Sequence, residues 1–251
     1  MRMKRLEIIT STLESQGTVE VAQMSALLNV TPKTIRQDLI ELEKMGVAVR
    51  VHGGATLKNG FSDIYPVPSR KQKHMEEKQQ IAMRALSLIE DDDIIILDSG
   101  TTTLELAKLI DRQVIVITND PTICHVLLHN EKVTLFSTGG RLRREFGFTY
   151  AGSDAIRMLN NYHAHKCFIG TSAFDSERGL MVFSSEEGEV KRAIMKASVQ
   201  KICLLDYSKF HKTAFSTFAS PSELDIIITD NRIPQQDIDH LASINIKVLT
   251  P

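Results

Sequence analysis

The sequence predicts two parts: a small helical head closed by a β-hairpin, and a larger α/β domain built on a mainly parallel sheet. Three observations predict it. Apolar residues recur at helical spacing from Leu6 to Leu42 and then change to period two up to Gly53-Gly54. A polar stretch with Gly60, Pro66 and Pro68 follows. From Ile94 onward, short apolar runs alternate with helical patterns, as a parallel sheet covered on both faces requires.

In the head, Leu6, Ile9 and Leu13 mark a first helix, with Gly17 as its stop. Val21, Met24 and Leu28 mark a second, with Asn29 suited to a left-handed cap. Thr31 is a good N-cap for a third helix and Pro32 suits its first position. Ile35, Leu39 and Leu42 make one apolar stripe, and Lys33, Arg36, Gln37 and Ile40 fall on another face. Two helices, a tight connection and a third helix with polar donors near its start are what a helix-turn-helix needs to read a major groove. Thr31, Lys33, Thr34, Arg36 and Gln37 are therefore candidate DNA-binding residues. Val47, Val49 and Val51 then alternate with Ala48, Arg50 and His52 before the Gly53-Gly54 turn. That is a wing, and it offers Arg50 and His52 to phosphates or a minor groove.

Residues 59–75 read as a linker between a head of residues 1–58 and a domain of residues 76–251, and a helical pattern already runs over Ser69–Ile89. Strands are expected at Ile94–Leu97, Val114–Thr118, Val133–Ser137, Cys167–Ile169, Ile202–Leu205, Ile226–Thr229 and Ile246–Leu249. Open α/β sheets bind ligands at the carboxyl ends of their strands. The first strand ends in Asp98-Ser99-Gly100-Thr101-Thr102-Thr103 before a helix, a hydroxyl-rich loop at a helix start where an anion such as phosphate is favoured. It is neither a Walker loop, having no Gly-Lys-Ser/Thr, nor a GxGxxG turn. Thr118-Asn119 end the second strand, Gly139-Gly140-Arg141 follow the third, and Asp206 and Lys209 follow a later one. Together they form one polar mouth, in which Lys209 would pair with a phosphate and Asp206 would accept sugar hydroxyls.

The stretch TPKTIRQDLIELEKMGVAVRVHGGA (residues 31–55) closely resembles the signature of the DeoR family of bacterial repressors. Gln37 stands where that family usually has a second Arg, which exchanges a guanine reader for an adenine reader. The resemblance continues through Arg70, Glu77-Lys78-Gln-Gln-Ile81-Ala82, Asp98-Ser-Gly100-Thr-Thr, Thr118-Asn119, Gly139-Gly140-Arg-Leu-Arg143, Phe168-Ile-Gly170 and Asp206-Tyr-Ser-Lys209-Phe, and so spans almost the whole chain. It implies a fold similar to ribose-5-phosphate isomerase, a phosphorylated sugar or derivative as effector, a homo-oligomer, and repression of carbohydrate-metabolism genes. It also implies that Lys78 and Gly170 approach the effector. His165 replaces the usual Asp before Lys-x-Phe-x-Gly, at a position resembling an acidic active-site segment of the isomerases.

The composition bounds these readings. The chain has 251 residues with 42% hydrophobic and 24% charged, enough for a buried core. Its net charge of −1 does not announce nucleic acid. Residues 1–60 hold 8 Lys/Arg against 6 Asp/Glu, a net +2 that leaves −3 for the rest. Cys124, Cys167 and Cys203 are scattered, as reduced thiols in a cytosol are, and with no signal peptide or apolar run long enough to span a bilayer a cytoplasmic protein is expected. No cofactor or metal is expected, since His163 and His165 lack a third ligand. Two rival readings remain. One is a sugar-phosphate isomerase with a DNA-binding head, using Glu186, Glu187, Glu189 and Lys191 near one helix start, where Glu187 and Lys191 also suit an i,i+4 surface pair. The other is a second domain that only dimerises, which the hydroxyl-rich strand ends speak against.

Overall fold

The computed structural model describes residues 2–16, 18–45, 47–51, 53–57, 73–144 and 148–251. The chain divides into two compact units, Met1–Arg70 and Lys71–Pro251. His52 and most of the segment read as a linker lie outside the described residues.

In the first unit, α1 (Arg2–Gln16), α2 (Val21–Leu27) and α3 (Pro32–Lys44) stand where the apolar spacing predicts them. Thr31 caps α3 through its side chain, which accepts the Thr34 N–H, and Asn29 is left-handed at φ 50°. The unit buries Leu6, Ile9, Leu13, Met24, Ile35, Leu39 and Leu42. The wing has one strand more than the sequence reading. β1 (Thr18–Glu20) pairs with β3 (Gly54–Leu57), which pairs in turn with β2 (Ala48–Val51). That extra strand gives Gly54 a second task. A Cβ there would lie 2.0 Å from the Val19 carbonyl oxygen, so only glycine lets β1 and β3 close up. The period-two pattern of the wing places only its first valine inside: Val47 and Ala48 are buried, whereas Val49 and Val51 are exposed.

The second unit opens with α4 (Met75–Leu86), preceded by a turn at Lys73 and His74, so the expected linker gives way to structure before residue 75. All seven expected strands form one parallel sheet: β4 (Ile94–Leu97), β5 (Val114–Thr118), β6 (Val133–Ser137), β9 (Ala164–Gly170), β12 (Ser198–Leu204), β14 (Ile226–Ile228) and β15 (Lys247–Leu249). Their order is β15-β14-β12-β9-β4-β5-β6. Alternation of side chains splits the core by face. Ile96, Cys167, Ile169, Cys203 and Ile227 go to one cluster, with α7 (Ser153–Leu159), α8 (Ser185–Lys196) and α9 (Gln235–Ser243). Ile95, Leu97, Val116, Phe168 and Ile202 go to the other, with α4, α5 (Thr101–Leu109) and α6 (Pro121–Leu127). The edge strand β6 departs from the expected double burial, since Thr134, Phe136 and Ser137 are exposed.

Short strands that the sequence reading did not find complete the unit. β10 (Ala173–Asp175), β11 (Gly179–Val182) and β13 (Ser216–Ala219) form an antiparallel sheet, and β7 (Arg141–Arg143) pairs with β8 (Thr149–Ala151). Gly140 makes the entry to β7: it sits at φ 100°, and a Cβ there would meet the Ala151 carbonyl oxygen at 2.9 Å. No helix among the described residues is long and apolar enough to cross a membrane.

Candidate functional site

On the head, α3 presents Lys33, Arg36 and Gln37 as exposed side chains, opposite the buried stripe of Ile35, Leu39 and Leu42. Thr31 and Thr34 are occupied with each other, their hydroxyl oxygens 2.9 Å apart, so both serve the helix start. A buried ion pair orients this helix. Arg5 of α1 holds Asp38, which is 1% exposed, through Nε and through Nη2 at 3.0 Å. At the other end, the Glu43 carboxylate accepts the Arg50 backbone N–H at 3.1 Å and the Arg50 Nε at 2.7 Å. The Arg50 hydrogen bonds hold the Glu43 carboxyl below its usual range. Arg50 is thus exposed but tied to the recognition helix, an arrangement that sets the wing against α3. We predict that Arg5→Ala lowers the stability of the full chain by about 1.5–3 kcal/mol, the cost of stripping a charged hydrogen-bond partner from a buried carboxylate. Urea titration of both proteins checks this, and an unchanged midpoint would contradict it.

In the larger unit, the strand directions bring the polar ends to one edge of the sheet. Along it stand Thr138 after β6, Asn119 after β5, Asp98 after β4, Gly170 ending β9, and Asp206 after β12. From β6 to β12 this edge spans about 19 Å at ~4.8 Å per strand, wider than one sugar with one phosphate. The expected residues therefore form a row whose middle, rather than whose whole, suits a single small metabolite.

The middle is Asp98. Its side chain is fully buried, and its Oδ2 accepts the Gly170 N–H at 3.1 Å and an ion-pairing hydrogen bond from Lys191. Lys191, 2% exposed, also donates to the Gly170 carbonyl at 3.0 Å and lies 3.8 Å from Glu187. Lys191 is therefore not the surface partner that its spacing from Glu187 suggests. Burial pushes the Asp98 carboxyl up, against the pull of Lys191. The second oxygen, Asp98 Oδ1, is buried without a hydrogen-bond partner among the described residues. So is Asn119 Oδ1 on the neighbouring strand end, while Asn119 Nδ2 donates to Thr149 Oγ1 at 3.1 Å.

Beside these acceptors α5 begins, and part of its hydroxyl-rich start is already spent within the protein. Gly100, not a Thr, is the N-cap, at an extended φ of 169° that any residue adopts; a Cβ there would press on Thr103 Oγ1 at 3.0 Å. The Thr103 hydroxyl is spent on the Gly100 carbonyl at 3.0 Å. The Gly100 N–H already faces a carboxylate, that of Asp120, which also takes the Thr122 N–H at 2.7 Å. The helix-start N–H groups of Thr101, Thr102 and Thr103 are the ones that α5 itself leaves unpaired. Ser99 and Thr101 are half-buried beside them, and Thr118 and Thr102 are buried.

Other expected contacts turn inward or aside. Lys78 is buried, with its ammonium on the Lys73 carbonyl at 2.6 Å, so it faces the protein rather than a ligand. Asp206 caps the turn Tyr207–Lys209 by accepting the Ser208 N–H at 3.0 Å, and Lys209 is half-buried in that turn. Arg141 is held by Glu186 at 2.7 and 2.6 Å, next to buried Arg143, which lies 3.7 Å from Glu186 and 3.8 Å from Glu187. Gly139 and Gly140 turn the chain from β6 into β7. His165 is at the wrong end for an effector contact: it is the second residue of β9, whereas the mouth lies beyond Gly170, and its Nδ1 meets Asp93 at 3.2 Å. No group of three metal-ligating side chains occurs among the described residues, and Cys167 and Cys203 are buried thiols, Cys167 pushed up to about 12 by burial.

The description "DeoR-like helix-turn-helix domain" matches residues 5–60, and "DeoR C terminal sensor domain" matches residues 73–231. A putative aga operon transcriptional repressor of Escherichia coli O157:H7 is 36% identical over 250 residues, covering 98% of this chain and 93% of its own. The HTH-type transcriptional repressor GlcR of Bacillus subtilis is 36% identical over 234 residues, covering 93% and 90%. Among solved structures, ribose 5-phosphate isomerase A of Methanocaldococcus jannaschii overlaps 55% of each chain at 15% identity and a TM-score of 0.42, a likeness too slight to bear on chemistry.

Proposed function

The chain belongs to the DeoR family of transcriptional regulators, and from that premise we propose that it represses carbohydrate-metabolism genes under the control of a phosphorylated sugar. Lys33, Arg36 and Gln37 contact the operator, with Arg50 of the wing on phosphate; His52 belongs to the same wing by sequence. The effector's charged group sits on the helix-start N–H groups of Thr101–Thr103. Its hydroxyls donate to Asp98 and Asn119. The protein acts in the cytoplasm as a homo-oligomer.

One observation carries the effector reading. Two buried acceptors, Asp98 Oδ1 and Asn119 Oδ1, stand without donors among the described residues on adjacent strand ends, beside a helix start that favours an anion. A buried acceptor left unmade costs about 1–3 kcal/mol, so these positions select a guest that brings hydroxyl donors on one side and negative charge on the other. Turnover by Glu187 and Lys191 is not favoured, because the Lys191 ammonium is locked to Asp98 and the Gly170 carbonyl.

The test is thermal denaturation of the full chain against a panel of phosphorylated sugars, the matching free sugars and inorganic phosphate, with each mixture watched for product. At a hundred times its Kd a ligand adds about 2.7 kcal/mol of apparent stability. We expect stabilisation by at least one sugar phosphate, little by its free sugar or by phosphate alone, and no product. A panel without effect, or equal stabilisation by phosphate alone, contradicts the assignment.

A further inference from the structure

We propose that two copies of this chain associate through strand β6, edge to edge and antiparallel, joining their parallel sheets about a twofold axis through Leu135. This rests on the homo-oligomer reading above and adds the surface that makes it.

The parallel sheet has two outer strands, β15 and β6. Edge strands template unwanted pairing, and proteins blunt them by shortness, charge or proline. β15 is blunted in this way: it has 3 residues and begins with exposed Lys247. β6 has 5 residues, Val133-Thr134-Leu135-Phe136-Ser137, with neither charge nor proline. Among the described residues no strand lies on its outer side. Apolar surface flanks it, with Phe136 37% exposed and Leu128, at the end of α6, 65% exposed.

The hydrogen-bond pattern shows which main-chain groups point outward. Val114 N–H donates to the Lys132 carbonyl at 3.1 Å and Thr138 N–H to the Thr118 carbonyl at 3.0 Å. In a parallel pair this alternation directs residues 132, 134, 136 and 138 to β5 and leaves the N–H and C=O of Leu135 and Ser137 facing out. An antiparallel second copy centred on Leu135 meets those groups with its own. Leu135 pairs with Leu135, and Ser137 N–H reaches the Val133 carbonyl. On one face Thr134 then stands opposite Phe136 of the second copy, in a non-hydrogen-bonded pair where side chains come closest. The occupant is a second copy because the strand is complementary to itself. Its main-chain pattern maps onto itself under a twofold, it carries no charge that a copy would repel, and it offers none to attract a different partner.

The test uses two double variants of the full chain, T134K/F136K and T134K/F136E, with the parent, by sedimentation or light scattering. The first sets Lys against Lys twice across the axis, and we expect its mass to be half that of the parent. The second alters the same two positions but sets Lys against Glu, and we expect association to return and to weaken as salt is raised. A parent that is monomeric overturns the homo-oligomer reading itself. A parent that is oligomeric, with T134K/F136K unchanged in mass, overturns the surface alone. T134K/F136K monomeric and T134K/F136E also monomeric overturns the antiparallel register.

Discussion

Replacing Lys191 by Met should destabilise the chain by about 3–5 kcal/mol at neutral pH, the usual cost of leaving one member of a buried ion pair alone. Both partners are almost without solvent access, and Lys191 also satisfies the Gly170 carbonyl, so the loss exposes two acceptors at once. The pH dependence identifies the cause. With Lys191 gone, the Asp98 carboxyl, which burial already pushes up, titrates higher in the folded than in the unfolded chain. A group with a raised folded-state pKa stabilises most below its unfolded value and loses that contribution as pH rises through the folded one. Lys191→Met should therefore be less destabilised at pH 5 than at pH 7, and D98L/K191M should recover part of the loss by removing both charges. Urea unfolding of the full chain at the two pH values measures this. A deficit that does not change with pH would mean that the methionine disturbs packing rather than stranding a carboxylate.

The second large effect is expected on DNA. Arg36→Ala should weaken operator binding by about 1–3 kcal/mol, as loss of one base-edge contact does, and relax specificity at one position. Lys33→Ala should weaken all duplexes alike and reduce the salt slope by about 1 if its ammonium meets a phosphate. Gln37→Arg should move the preferred base at its position from adenine to guanine. Selection from a random duplex pool, followed by anisotropy titration at two salt concentrations, reads all three. An Arg36→Ala protein that binds the selected duplex as the parent does removes Arg36 from the interface.

Much of this was legible in the residues because it rests on short-range physics. The seven apolar runs became the seven strands of one sheet, since a strand buried on both faces leaves a continuous signature. Asn29 marked the end of α2, and Thr31 and Pro32 the start of the recognition helix, through their own backbone preferences. What escaped was short or set by tertiary contact. Thr18–Glu20 and Arg141–Arg143 are too brief to show a period, and their pairing depends on partners far along the chain. In the site, Asp98 was legible from the loop that follows it, but its partner was not. The clue to Lys191 lay in its place one residue after Val190 and three before Ile194, on the inward face of α8, where a lysine must find a buried counter-charge. Strand direction also separates what motif proximity joins: His165 and Gly170 belong to one strand, yet only Gly170 is at its carboxyl end. The breadth of the polar edge was the last thing hidden, because strand order, and with it the spacing of Arg141 from Lys209, is a property of the sheet.

The measurement that bears most directly on the whole account is anisotropy titration of a selected duplex with the full chain, with and without each sugar phosphate that stabilises it. Parent protein and Asn119→Ala should be compared. A tenfold or larger change in duplex affinity in the parent, lost in Asn119→Ala while its ligand-free affinity stays the same, is the expected result. A parent whose duplex affinity is indifferent to every stabilising sugar phosphate would contradict the claim that one polypeptide couples these two sites.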